Sequence, residues 1–107
     1  MRTYELFDNT REAFHARFRD HAARIFARHG FSFVAGWERR QGDRPLFTYV
    51  LRWPDEATMQ RCWEAFMADE EWAEIKRRTA AAAPGPLVGE IDDCVITPVD
   101  YLPQPLG

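Results

Sequence analysis

Three histidines, His15, His21 and His29, are the side chains of this chain best suited to moving protons near neutral pH. His21 falls on an apolar stripe between Phe14, Phe18 and Ile25. A histidine so placed is either a general acid or base facing a cavity, or a core residue bonded to a backbone carbonyl or a strand side chain. His29 stands just before Gly30, where a cationic side chain suits the C-terminus of a helix and can bond its last carbonyls. His15 borders the stripe, and no two of the three stand four apart, so the helical pair that grips a metal is missing. No metal is expected, and no spacing favours haem.

Glu5 lies between Tyr4 and Leu6 and shares its side of an extended segment with Phe7. Apolar surroundings would raise its pKa and let it shuttle a proton; the competing reading is an interface ion pair with Arg39 or Arg52. Asp92 and Asp93 are adjacent and so point to opposite faces of a strand, which rules out a dyad. Cys62 and Cys94 lack the close spacing of a zinc or redox motif and are expected as reduced thiols, Cys94 buried and structural. A glycine-rich phosphate loop, a dinucleotide fingerprint and a serine nucleophile elbow are all missing, so no tightly held cofactor is expected.

The totals set the frame. At 107 residues, 46% of them hydrophobic, the chain is expected to form one domain over residues 1–107. No apolar run approaches the roughly 20 residues of a membrane span. Acidic residues at Glu5 and Asp8 interrupt any leader character, so the cytoplasm is the expected location. A net charge of -3 gives no basic footprint, and Lys76, Arg77 and Arg78 are offset by Glu70, Glu71 and Glu74, so nucleic acid is not an expected partner.

The elements that must position these side chains follow from periodicity. Residues 2–8 alternate as a strand. Asn9 or Thr10 can cap a helix carrying Phe14, Phe18, Ala22, Ile25, Phe26 and His29 at three- and four-residue spacing, and Gly30 ends it. FSFVAGWERR (31–40) and PLFTYVLRW (45–53) flank the polar link QGDR and read as a hairpin. Asp55 can cap a second helix with Met59, Cys62, Trp63, Phe66 and Met67 on its stripe. Asp69 can cap a short third one, with Glu70 and Glu71 in its first turn. The aromatics of WEAFMADEEW are assigned to the scaffold, Trp72 closing the junction of the two helices. Residues 80–86 read as a frayed helix end and a loop, 89–99 as a last strand, and YLPQPLG as a proline-marked tail.

The order β-α-β-β-α-(α)-β is the α+β, ferredoxin-like arrangement: one four-stranded antiparallel sheet with helices on one face. Its other face needs cover, because Phe7, Phe33, Ala35, Trp37, Phe47, Tyr49 and Leu51 are too apolar for a solvated surface. Pairing of two copies through their sheets is the natural remedy.

Four motifs in order carry a resemblance to a known family. They are YEL at Tyr4–Leu6, H-x(7)-H-G at His21, His29 and Gly30, V-x-x-W at Val34 and Trp37, and W-x-x-F-x-x-D-x-x-W at Trp63, Phe66, Asp69 and Trp72. On these the chain resembles the NIPSNAP family of dimeric α+β barrel proteins over nearly its whole length. The resemblance implies a homodimer in which two sheets face each other, with a pocket in the barrel lumen or between sheet and helices. It implies that Glu5 and Phe7 point into the lumen, that Trp37 and Tyr49 line it, and that His21 matches a family histidine. Related barrels include antibiotic-biosynthesis monooxygenases and haem-degrading enzymes. The function expected is therefore binding of a small apolar or aromatic metabolite, with cofactor-independent proton transfer or oxygenation in which His21 and Glu5 serve as acid and base. A noncatalytic binding module and a haem-binding barrel are the alternatives.

Overall fold

The computed structural model describes residues 1–103, so the last four residues of the proline-marked tail lie outside it. Four strands and four helices follow in order: β1 (Arg2–Glu5), α1 (Arg11–Arg17), α2 (Ala23–Arg28), β2 (Ser32–Gln41), β3 (Arg44–Arg52), α3 (Glu56–Met67), α4 (Glu70–Ala82) and β4 (Ile91–Asp93). A π-helical segment, Phe18–Ala22, joins α1 to α2 without a break. The strands form one antiparallel sheet in the order β2-β3-β1-β4. This is the ferredoxin-like layout, with the helices packed on a single face.

The π segment explains how four-residue spacing survives over a long helix. In a regular α-helix each step of four overshoots a full turn by about 40°, so three steps from Phe14 to Phe26 would swing roughly 120° off the core. One widened turn absorbs that drift. Phe14, Ala22 and Phe26 are accordingly all buried, with Ile25 beside them and Phe18 partly covered.

The C-terminus of α2 is a Schellman cap. Gly30 takes φ +84, the Phe31 N–H donates to the Phe26 carbonyl at 3.0 Å, and the Gly30 N–H donates to Ala27 at 3.1 Å. The rings of Phe26 and Phe31 then meet at 4.6 Å, the apolar contact that goes with this motif. Asp55 and Asp69 cap α3 and α4 as expected, accepting from the Thr58 N–H at 2.7 Å and the Trp72 N–H at 3.0 Å. Thr10 does not cap α1: its hydroxyl donates instead to the Pro86 carbonyl at 2.8 Å, tying the start of the helix to the loop after α4.

Three boundaries differ from the sequence expectation. The third helix is not short: α4 runs thirteen residues, through Ala80–Ala82, because alanine has the highest helix propensity and nothing breaks the run before Pro84. The last strand is shorter, ending at Asp93, and Met1 and Cys94 exchange the bonds just beyond it: the Cys94 N–H donates to the Met1 carbonyl at 2.9 Å and the Met1 amino group donates to the Cys94 carbonyl at 2.8 Å. The first strand is likewise four residues long. Gly42, at φ +64, opens the two-residue turn of the β2–β3 hairpin.

Register decides which side chains face the helices. Arg2 pairs with Tyr49 and Tyr4 with Phe47, so these four share the helix-covered face. Thr3 pairs with Thr48, and Trp37 with Thr48 in turn, so those three share the open face with Glu5, Ala35, Leu46 and Val50. An irregularity between Phe33 and Ala35 lets Phe33 pack under the helices against Phe18 and Phe26 while Ala35 and Trp37 face away.

Candidate functional site

The sheet and the helical layer do not close completely. A cavity of about 170 Å³ remains between β1, the α1–α2 helix, α3 and α4. Tyr4, Phe14, Phe18, Trp63, Phe66 and Trp72 supply its aromatic walls. Three cations reach it from three different elements. Arg2, on β1, sits 4.6 Å from the Trp63 ring centroid and 5.3 Å from that of Tyr4. Arg17, at the end of α1, sits 5.3 Å from the Trp72 centroid, and Lys76, one turn along α4, sits 5.8 Å from the same ring. These are cation–π distances.

A polar chain crosses the interior behind this cavity. Asp93 accepts from Arg2 Nη1 at 3.0 Å, Arg2 Nε donates to the Tyr4 hydroxyl at 2.8 Å, and the Tyr4 and Tyr49 hydroxyls meet at 2.8 Å. Burial, with Tyr4 alongside, pushes the Tyr49 phenol far above its ordinary range, so it stays neutral and acts as donor or acceptor only. The tyrosine pair holds two hydroxyl hydrogens and makes one mutual bond, and the Tyr4 oxygen already accepts from Arg2. One hydroxyl hydrogen is therefore left to offer. Arg2 and Tyr49 also line a second cavity, of about 240 Å³, on the far side of the chain, with Leu51, Trp53 and Met59. Arg2 is thus common to both cavities.

The residues singled out by sequence reasoning lie elsewhere, and they do not converge. Tyr49 does not share a face with Trp37; it is 1% exposed under the helices, because it stands opposite Arg2 on the Tyr4 side of the sheet. Trp37 is on the open face and 47% exposed. Glu5 does point to the open face, and its neighbour there is Phe7: a side chain at Gly89 would overlap the Glu5 carboxylate and touch the Phe7 ring. Its surroundings are not apolar, however. Glu5 accepts from the Glu90 N–H at 3.1 Å and from Arg44 Nε at 2.7 Å, and these hold its carboxyl below its ordinary pKa rather than above it. The ion pair forms within the chain, with Arg44 in place of Arg39 or Arg52.

His21 belongs to the π segment and turns aside from the stripe, its Nδ1 3.4 Å from Arg24 Nη2, while Ala22 takes the buried position. His29 does not bond the helix carbonyls; its Nε2 lies 2.7 Å from Asp69, which also accepts from Arg28 at 2.5 Å. His15 lies 3.1 Å from Glu38. Cys94 is exposed, because the strand ends before it, and Cys62 is partly buried; neither is in a disulfide. Asp92 and Asp93 do face opposite ways, and only Asp93 reaches Arg2. Among the described residues no group of three or more His, Cys, Asp or Glu side chains is placed to hold a metal ion, and no helix is long and apolar enough to cross a membrane.

The cations were the residues missed. Two signals pointed to them: Arg2 alternates with Tyr4 and so shares its face, and Arg17 follows Phe14 by three on the stripe.

Comparison with known proteins places the scaffold. The sequence profile of the NIPSNAP family matches residues 1–103. Two solved structures from Burkholderia xenovorans share the fold. An uncharacterized NIPSNAP domain protein aligns with TM-score 0.73 at 16% identity, over 96% of this chain and 95% of that one. An uncharacterized NIPSNAP-like domain protein aligns with TM-score 0.75 at 18% identity, over 97% and 86%. No curated protein matches the chain. With its motifs, its strand order and its profile in agreement from end to end, the chain belongs to the NIPSNAP family.

Proposed function

We propose that the protein is a homodimeric barrel that binds a small, largely apolar or aromatic metabolite in the cavity between β1 and the helices. The observation that carries this reading is the cavity itself, whose aromatic walls are interrupted by a few converging polar groups, the usual make-up of a ligand pocket. The homodimer is supported by the open sheet face, where Trp37 stands half exposed beside Ala35 and Val50 with no second layer over it among the described residues.

A catalytic reading has one feature in its favour. Arg2 and the tyrosine pair set a guanidinium and a spare hydroxyl hydrogen side by side, an arrangement able to stabilise negative charge growing on a substrate oxygen. His21 and Glu5, in separate layers of the subunit, take no part in it.

Native mass spectrometry of protein purified from its own host, read with an absorption spectrum, tests the proposal. The expected result is a dimer of the 12.5 kDa chain carrying a small bound molecule. A monomer without ligand would contradict both halves of the reading.

A further inference from the structure

The cavity is charged in a way its size and walls do not require. Among the described residues its wall contains three cations and no carboxylate. Asp93 balances Arg2 from behind, which leaves Arg17 and Lys76. Most other cations of this chain find acids: Arg11 pairs with Glu38, Arg40 with Asp8, Arg44 with Glu5, and Arg24 and Arg28 with Glu71, while Arg39, Arg52 and Arg61, which have no carboxylate partner among the described residues, are exposed to water. On α4 itself Glu74 is taken by Arg77 and Arg78, the neighbours of Lys76. Acids outnumber bases, 17 to 14, so a carboxylate for Arg17 was not in short supply. Yet among the described residues no carboxylate pairs with Arg17 or Lys76.

Arg17 is partly buried in this setting. Burial holds its guanidinium below the ordinary pKa, whereas the carboxylates beside Arg11 and Arg40 raise theirs. The Trp72 face offsets some of the cost, but a ring accepts none of the five N–H donors of a guanidinium in the plane where they point. A half-buried cation so placed has donors ready for an anion.

We propose that this cavity takes a small aromatic or apolar carboxylate, its body against Trp63 and Trp72 and its carboxylate on Arg17, with Lys76 as the second cation. The proposal rests on the reading of the cavity as a ligand pocket and adds the charge of the ligand. The size agrees: a cavity of about 150 Å³ holds benzene, so about 170 Å³ admits one ring with a carboxyl group at its mouth. Arg17 and Lys76 flank one indole from neighbouring helices and give the anion a fixed address.

Isothermal titration of the intact protein with benzoate, phenylacetate and hexanoate, each against its neutral amide, tests this. The expected result is that at least one acid binds roughly tenfold or more tighter than its amide, a difference that one charge-assisted contact supplies. Arg17→Met, which keeps the aliphatic stem over Trp72, should erase the preference while the amide binds as before. Lys76→Met, at a partly buried position one turn from Trp72, should reduce it and provides the reading if Arg17→Met does not fold. Amides binding as tightly as acids, or a preference unchanged in both variants, would overturn the anion assignment and leave the pocket reading standing. If neither acids nor amides bind, both fall together.

Discussion

Tyr4 and Tyr49 join their hydroxyls at 2.8 Å although they are not opposite one another in the sheet: Tyr4 faces Phe47 and Tyr49 faces Arg2, so the bond runs along a diagonal. The Tyr4 oxygen is the busier of the two, since Arg2 also donates to it.

That asymmetry predicts unequal costs. Tyr49→Phe leaves Tyr4 bonded to Arg2 and should cost about 1 kcal/mol. Tyr4→Phe strands both the buried Tyr49 hydroxyl and the Arg2 Nε–H, and should cost about 2–3 kcal/mol. Urea unfolding of the two variants decides it, and an equal or greater loss in Tyr49→Phe would show that the chain is not organised around Tyr4.

Acid should destabilise the protein over a defined window. Arg11, with two bonds of 2.6 Å, and then His15 hold the Glu38 carboxyl down at about 2, and Arg24 with Arg28 do the same for Glu71. His29, then Arg28, depress Asp69 further. Carboxyls with lowered folded-state pKa values stabilise fully above their unfolded values and lose that contribution as pH falls through the folded ones. Stability should thus fall between pH 4.5 and about 2. Glu38→Gln should melt below the parent at pH 7 and with it at pH 2; a gap of constant size across that range would exclude the Arg11 pairing as its source.

The π segment predicts a tolerated deletion. Removing the exposed Asp20 leaves Phe14, Phe18, Ala22 and Ile25 at spacings of four, three and three, the spacing of an ordinary α-helix, so both flanking helices keep their buried faces. Helix content by circular dichroism should be retained and the melting temperature should fall by about 5 °C or less. Deleting Glu64 from the regular α3 should instead rotate its stripe by about 100° and prevent folding. Loss of folding on deleting Asp20 would mean that the wide turn is needed for more than phase.

Trp37 offers a direct test of subunit pairing. Trp37→Glu places a charge on the open sheet face without touching the helix-side core. Light scattering should fall from twice the chain mass to the 12.5 kDa monomer, with the melting profile still cooperative. A variant that stays dimeric would move the interface away from this face.

Much of this architecture was legible in the chain because its signals are local. Asp55, Asp69 and Gly30 act on their own helix ends, and the stripes of α1–α2 and α3 name their buried faces. The facing of Tyr49 was not legible. In PLFTYVL both alternating sets are apolar enough to be covered, Phe47 with Tyr49 on one side and Leu46 with Val50 on the other, so only the pairing with β1 decides between them. The Arg17 and Lys76 site was hidden for another reason. Charged residues on helices normally face water, and what makes these two converge is the crossing of the helix holding Arg17 with α4 over one tryptophan.

The strand order has one more consequence, for how far assembly can proceed. Among the described residues the sheet has two edge strands. One is β2, where Glu38, Arg39 and Arg40 put charge along the rim and the irregularity at Phe33 and Ala35 bends its line; the other is β4, three residues long. Both are poor templates for another chain's backbone, so growth by adding strands, the route to fibrils, is disfavoured at each side. The face-to-face pairing proposed above would be of the opposite kind: once two faces meet, each is used up, and association would stop at a closed pair instead of running on into a filament.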